Sequence, residues 1–168
     1  MRSARIGLGV IFAAVLALGG AVLWAAFRPI EQPIAFNHNL HVVELEMECV
    51  DCHLYALNGV RATIPNIEVC ADCHDEVLSE SAAEARLVEY IIDDERVPWR
   101  KIYWVPEHVY FSHRRHTKLG GVECETCHGL MGERVEPAKR PLVRITMKRC
   151  LRCHEESGVS NDCLLCHR

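Results

Sequence analysis

Apolar positions are spread very unevenly along this chain of 168 residues. From Ile6 to Phe27 there are 22 residues without a charge, preceded by Arg2 and Arg5. A helix that long would span about 33 Å at about 1.5 Å per residue, enough for bilayer hydrocarbon. The pattern predicts one N-terminal transmembrane helix within an anchor of residues 1–29. A cleaved signal peptide competes with this reading, but its apolar core usually runs only about 7–15 residues. The apolar run here continues well past the weak small-residue site at Ala17 and Gly19. Trp24 and Phe27 would sit at the interface, and Arg28-Pro29 would stop the helix. The two leading arginines predict a cytoplasmic N-terminus. The chain is then expected to be single-pass in the bacterial cytoplasmic membrane, with everything after Arg28 on the periplasmic side.

Beyond Pro29 the periodic signals are few. Asp75 to Ile92 is predicted as a helix, with Val77, Leu78, Ala85, Val88 and Ile92 roughly on one stripe and Ser81 with Glu84 resembling a capping box. Val97 to Pro106 is aromatic-rich and bounded by prolines, which predicts an extended segment. Elsewhere secondary structure is expected to be sparse.

The cysteines explain that sparseness. All ten fall in five copies of Cys-x-x-Cys-His: Cys49 and Cys52 with His53, Cys70 and Cys73 with His74, Cys124 and Cys127 with His128, Cys150 and Cys153 with His154, Cys163 and Cys166 with His167. This is the attachment signature of c-type haem, with two thioether links and the adjoining His as proximal iron ligand. Zinc modules would place their other ligands about a dozen residues away. A five-disulfide framework gives no reason for a His after every second Cys. Five covalently bound haem c groups are therefore expected, and the macrocycles would supply the core that the side chains cannot. The fold class predicted is a multihaem cytochrome c, mainly irregular, with a few short α-helices around five haems and the N-terminal helix.

The chain also repeats itself. Shifted by 75 positions, Phe36 aligns with Phe111, His38 with His113, His41 with His116 and Glu48 with Glu123. This predicts a dihaem block over 30–80, a helical and extended connector over 81–105, and a trihaem block over 106–168.

Of the ten histidines, five lie outside the motifs: His38, His41, His108, His113 and His116. Five irons need five distal ligands, so bis-His coordination is expected throughout. Methionine could replace one of them, Met147 before Cys150 ahead of Met131 and Met47, and His108 would then be released. Six-coordinate haems exchange only electrons, so no catalytic residue is expected. The polypeptide charge of -4 becomes more negative with two propionates per haem, so many of the 19 Lys and Arg are expected to serve as propionate partners, not as a nucleic-acid surface.

The Phe-x-His-x-x-His elements ahead of Cys-x-x-Cys-His resemble class III multihaem cytochromes c. Pro106 to His116 and Pro141 to Met147, with the apolar N-terminus, resemble the pentahaem subunit of alternative complex III. The haem subunit of the related bacterial quinone reductase complex is also similar, although it carries six haem sites. The resemblance implies a relay in a quinol-oxidising respiratory or photosynthetic complex. Its partners would be an iron–sulfur subunit and a polytopic quinol-binding membrane subunit. The acceptor would be a periplasmic cytochrome c or terminal oxidase. A self-contained membrane-anchored quinol dehydrogenase and a multihaem reductase with an open iron are the other classes.

Overall fold

The computed structural model describes residues 14–25 and 28–167. The chain divides into two units, Met1–Ile30 and Glu31–Arg168. In the first, residues 14–25 form helix α1. Arg28 lies over the Trp24 ring, 5.4 Å from its centroid. The expected transmembrane helix from Ile6 to Phe27 is not supported, and single-pass anchoring falls with it. Residues 6–13 and 26–27 of that span lie outside the described residues, and no helix among the described residues is long and apolar enough to cross a membrane.

The second unit carries six short α-helices: α2 Cys49–Cys52, α3 Ile67–Ala71, α4 Ala82–Ile92, α5 Cys124–His128, α6 Met147–Glu156 and α7 Cys163–Cys166. Each except α4 includes cysteines of a haem motif. Their ends are fixed by side chains close in sequence. Asp51 accepts from the Glu48 N–H at 2.7 Å, Thr146 from Arg149 at 3.3 Å, and Asp162 from Leu164 at 2.8 Å.

α4 is shorter than the sequence predicts. It begins at Ala82, where the Ser81 hydroxyl caps the Glu84 N–H, so Val77 and Leu78 fall before it and are exposed. Val88 is its buried residue, and Ile92 is exposed. The reciprocal half of the expected capping box is not what Glu84 does. Its carboxylate accepts instead from the Ser79 N–H at 2.8 Å, from the Ser79 hydroxyl and from His74.

The repeat is present in three dimensions. Two π-helical turns, Leu40–Glu44 and Arg115–Leu119, occupy equivalent positions, and the left-handed residues Glu46 and Gly121 end both turns at φ 55° and 63°. The turns pack reciprocally. Asn39 donates to the Arg134 carbonyl at 3.0 Å, and its counterpart Arg114 donates to the Gly59 carbonyl, the counterpart of Arg134, also at 3.0 Å. This i-to-j, j-to-i exchange is the signature of a two-fold related contact, here within one chain. The first seat is tight, since a Cβ on Gly132 would lie 2.9 Å from Val42; one on Gly59 would lie within 2.9 Å of the Tyr55 and Arg61 carbonyl oxygens of its own loop.

The 97–106 segment has no regular structure and works as a strap. Gln32 and Arg100 exchange two hydrogen bonds, at 2.7 and 2.9 Å. The Tyr103 hydroxyl donates to the His128 carbonyl at 3.1 Å and accepts from the Leu142 N–H at 3.1 Å. The polypeptide core is thin. Ile34, Ala56, Ile67, Val88 and Ala138 are the buried apolar residues among those described, while Leu54, Leu130, Leu164 and Leu165 stand exposed beside the haem motifs.

Candidate haem-binding site

The spacing Cys-x-x-Cys-His has a local mechanical reason. On one helical turn, residues i and i+4 share a face, so the first Cys and the His project together while the second Cys flanks them. The backbone closes this turn directly in three motifs. The N–H groups of His53, His74 and His167 each donate at 2.9 Å to the carbonyl of the first cysteine, Cys49, Cys70 and Cys163. In the others, α5 and α6 run through the whole motif. None of the ten cysteines is joined to another in a disulfide. Among the described residues, no three His, Cys, Asp or Glu side chains converge as a zinc site requires.

Four of the five motif histidines have a second histidine ring beside them. Ring centroids stand 6.2 Å apart for His41 and His74, 6.3 Å for His113 and His128, and 6.2 Å for His116 and His154. Two imidazoles bound end-on to one metal at about 2 Å would hold their centroids roughly 6 Å apart, so these rings are separated by the width of a shared iron. His108 and His167 are closer, at 5.5 Å, brought together where Val109 bridges antiparallel to His167 and Tyr110 donates to the Cys166 carbonyl at 2.8 Å. His38, the remaining histidine outside the motifs, lies within electrostatic reach of His53. Burial, then the His53 and His41 rings, lowers the His38 pKa to about 4, so this ring is neutral at neutral pH and has a lone pair to offer. Burial likewise lowers His113 and His128.

The histidines are also oriented for ligation. In six of them Nδ1 donates to an oxygen: His41 to Asn37 at 2.8 Å, His53 to Thr63 at 2.9 Å, His74 to the Glu84 carboxylate at 2.9 Å, His113 to Val60 at 3.1 Å, His116 to Ser112 at 2.8 Å and His154 to Ser160 at 3.2 Å. Placing the proton on Nδ1 leaves the Nε2 lone pair free for a metal. The π-turns assist this. Phe36 and Phe111 each stack on the second His of their element, at 4.5 and 4.7 Å, and meet the first edge-on at 4.7 and 4.9 Å.

Thiols of different motifs lie near enough to influence one another. Burial raises the Cys49 thiol, and the Cys124 thiol raises it further; Cys52 is raised by burial and then by Asp51 and Cys73. Burial and Cys52 raise Cys70. Cys127 is raised by burial and by Cys153 and Cys150 against the opposing effect of Arg149, and Cys150 by burial and then Cys166. Thiols of four motif pairs thus influence one another: second with first, first with third, third with fourth and fourth with fifth.

Met147 heads α6 and is 60% exposed, while His116 already stands beside His154 of that helix. Glu84, Ser79 and Tyr103 were not marked by the sequence. An acid ten positions after a motif histidine was the available signal for Glu84, and its place three residues after Ser81 disguised it as a cap. Arg134 Nε and His38 Nδ1 are the buried side-chain polar atoms without a protein hydrogen bond among the described residues. A haem propionate would suit the first.

Helical Cys-x-x-Cys-His turns faced by oriented second histidines define a multihaem cytochrome c. Residues 109–168 match the family described as cytochrome c7 and related cytochrome c. The chain is 35% identical over 162 residues, covering 82% of its length and 77% of the relative, to the menaquinone reductase multihaem cytochrome c subunit of Nitratidesulfovibrio vulgaris strain Hildenborough. It therefore belongs to the cytochrome c7-like multihaem cytochromes c and carries covalently bound haem c. These matches do not single out alternative complex III.

Proposed function

We propose that the chain is the electron-relaying multihaem subunit of a quinone-linked oxidoreductase complex. It binds five haems, one per motif, with Cys49/Cys52, Cys70/Cys73, Cys124/Cys127, Cys150/Cys153 and Cys163/Cys166 as the attachment points. Bound haem supplies one-electron exchange at iron. The protein side chains fix each imidazole, exclude open coordination positions and set the order of the sites. The histidines that would hold the irons are His53 with His38, His74 with His41, His128 with His113, His154 with His116 and His167 with His108. In each Phe-x-His-x-x-His element the first His then serves the motif that follows it, and the second serves the next motif along. The carrying observation is the iron-width spacing of His41–His74, His113–His128 and His116–His154.

The thiol neighbours support the order second, first, third, fourth, fifth for this relay, a linear wire whose ends are the second and fifth motifs. Electrons pass along it between a one-electron carrier, such as a cytochrome c, and partner subunits, an iron–sulfur protein among them, that exchange electrons with quinone. The name of the Nitratidesulfovibrio relative supports flow towards menaquinone, the reverse of the quinol oxidation expected from alternative complex III. The relay is the same in either direction.

Pre-reduced holoprotein isolated alone should be oxidised only slowly by a soluble menaquinone analogue, and rapidly when its neighbouring subunits are present. Fast oxidation of the isolated chain, blocked by a quinone-site inhibitor, would instead mark a self-contained quinone enzyme.

A further inference from the structure

The six oriented histidines differ in one respect. Five donate Nδ1–H to a main-chain carbonyl, which is neutral, whereas His74 donates to the Glu84 carboxylate at 2.9 Å. Glu84 is built to stay where it is. It lies in the first turn of α4, where the helix N-terminus favours negative charge. Its other oxygen accepts from both the Ser79 N–H, at 2.8 Å, and the Ser79 hydroxyl. Its side chain is only 9% exposed and that of His74 only 23%, so little water screens the pair. With both oxygens accepting, the group has the hydrogen-bond pattern of an ionised carboxylate.

We propose that Glu84 is a positioning residue that lowers the reduction potential at the second motif. The inference rests on His74 being an axial ligand there. A carboxylate accepting the Nδ1 proton makes the imidazole a stronger donor. Stronger donation and the nearby negative charge both favour the more positive ferric state over the ferrous one. One electron is exchanged, and no proton need leave the His74–Glu84 pair. The four main-chain carbonyls facing His41, His53, His113 and His116, and the one facing His154, lack that charge.

The test is a spectroelectrochemical titration of the five-haem holoprotein and its variants, with the spin state followed in parallel. Glu84→Gln keeps an acceptor but removes the charge. It should favour reduction of one haem at least tenfold, about 59 mV for a one-electron couple, and leave the others in place and low-spin. Ser79→Ala removes one donor from the carboxylate, leaves it more basic, and should move the same haem in the opposite direction, by less than tenfold. If Glu84→Gln fails to retain its haem, the Ser79→Ala shift decides alone. Unmoved potentials, or shifts of the same sign in both variants, overturn the proposal. His74→Ala separates this from the ligation it rests on. If every haem stays low-spin in that variant, the ligation is wrong. If one haem turns high-spin while the other two variants leave the potentials unmoved, only the role of Glu84 fails.

Discussion

Blocking haem attachment should leave the chain from Glu31 onward without stable tertiary structure. Fully burying one apolar side chain contributes about 1.5–3 kcal/mol, while ordering the backbone of one residue costs about 1–2 kcal/mol. The second unit buries Ile34, Ala56, Ile67, Val88 and Ala138, two of them alanines. Such a core cannot offset the ordering of so long a segment. The short helices do not help, because helices of four to eleven residues are at best marginal in isolation. Replacing every motif cysteine by serine, or producing the chain in cells without haem attachment, should give a far-UV spectrum of a disordered chain and rapid proteolysis throughout. A cooperative thermal transition in that apo chain would contradict the account.

His116→Ala should open one iron, and the pairing says which. His116 faces His154 across 6.2 Å, whereas the motif that follows it in sequence, at His128, is faced by His113 across 6.3 Å. One fifth of the low-spin signal should be lost in His116→Ala. Double variants locate it, because changes at one site do not add while changes at separate sites do. His116→Ala with His154→Ala touches a single haem and should keep four low-spin. His116→Ala with His128→Ala touches two and should keep three. The reverse pattern would place His116 on the third motif.

What could be read in the sequence follows from the range of the interaction. The Cys-x-x-Cys-His turns are local, closed within four residues, so spacing alone shows them. The repeat was legible because His38, His41, His113 and His116 recur at one offset. The pairing of His41 with His74, or of His116 with His154, depends on how π-turns pack on distant loops, and no local pattern carries that. Glu84 was misread for a related reason. Its position three residues after Ser81 is that of a cap, and only the fold brings His74 to it. The apolar run from Ile6 was read as a membrane span on length, yet α1 covers only residues 14–25 among those described. The stripe from Val77 failed because the Ser79 and Ser81 hydrogen bonds turn the chain before the helix begins.

The central claim is that every iron is closed by two histidines, so the chain carries electrons and performs no substrate chemistry. Adding carbon monoxide to the fully reduced five-haem holoprotein tests it most directly, since the gas binds ferrous haem only where an axial position is open or weakly held. The account predicts an unchanged Soret band and five low-spin haems. A carbon monoxide complex at even one haem of the native protein would contradict it and favour a multihaem reductase.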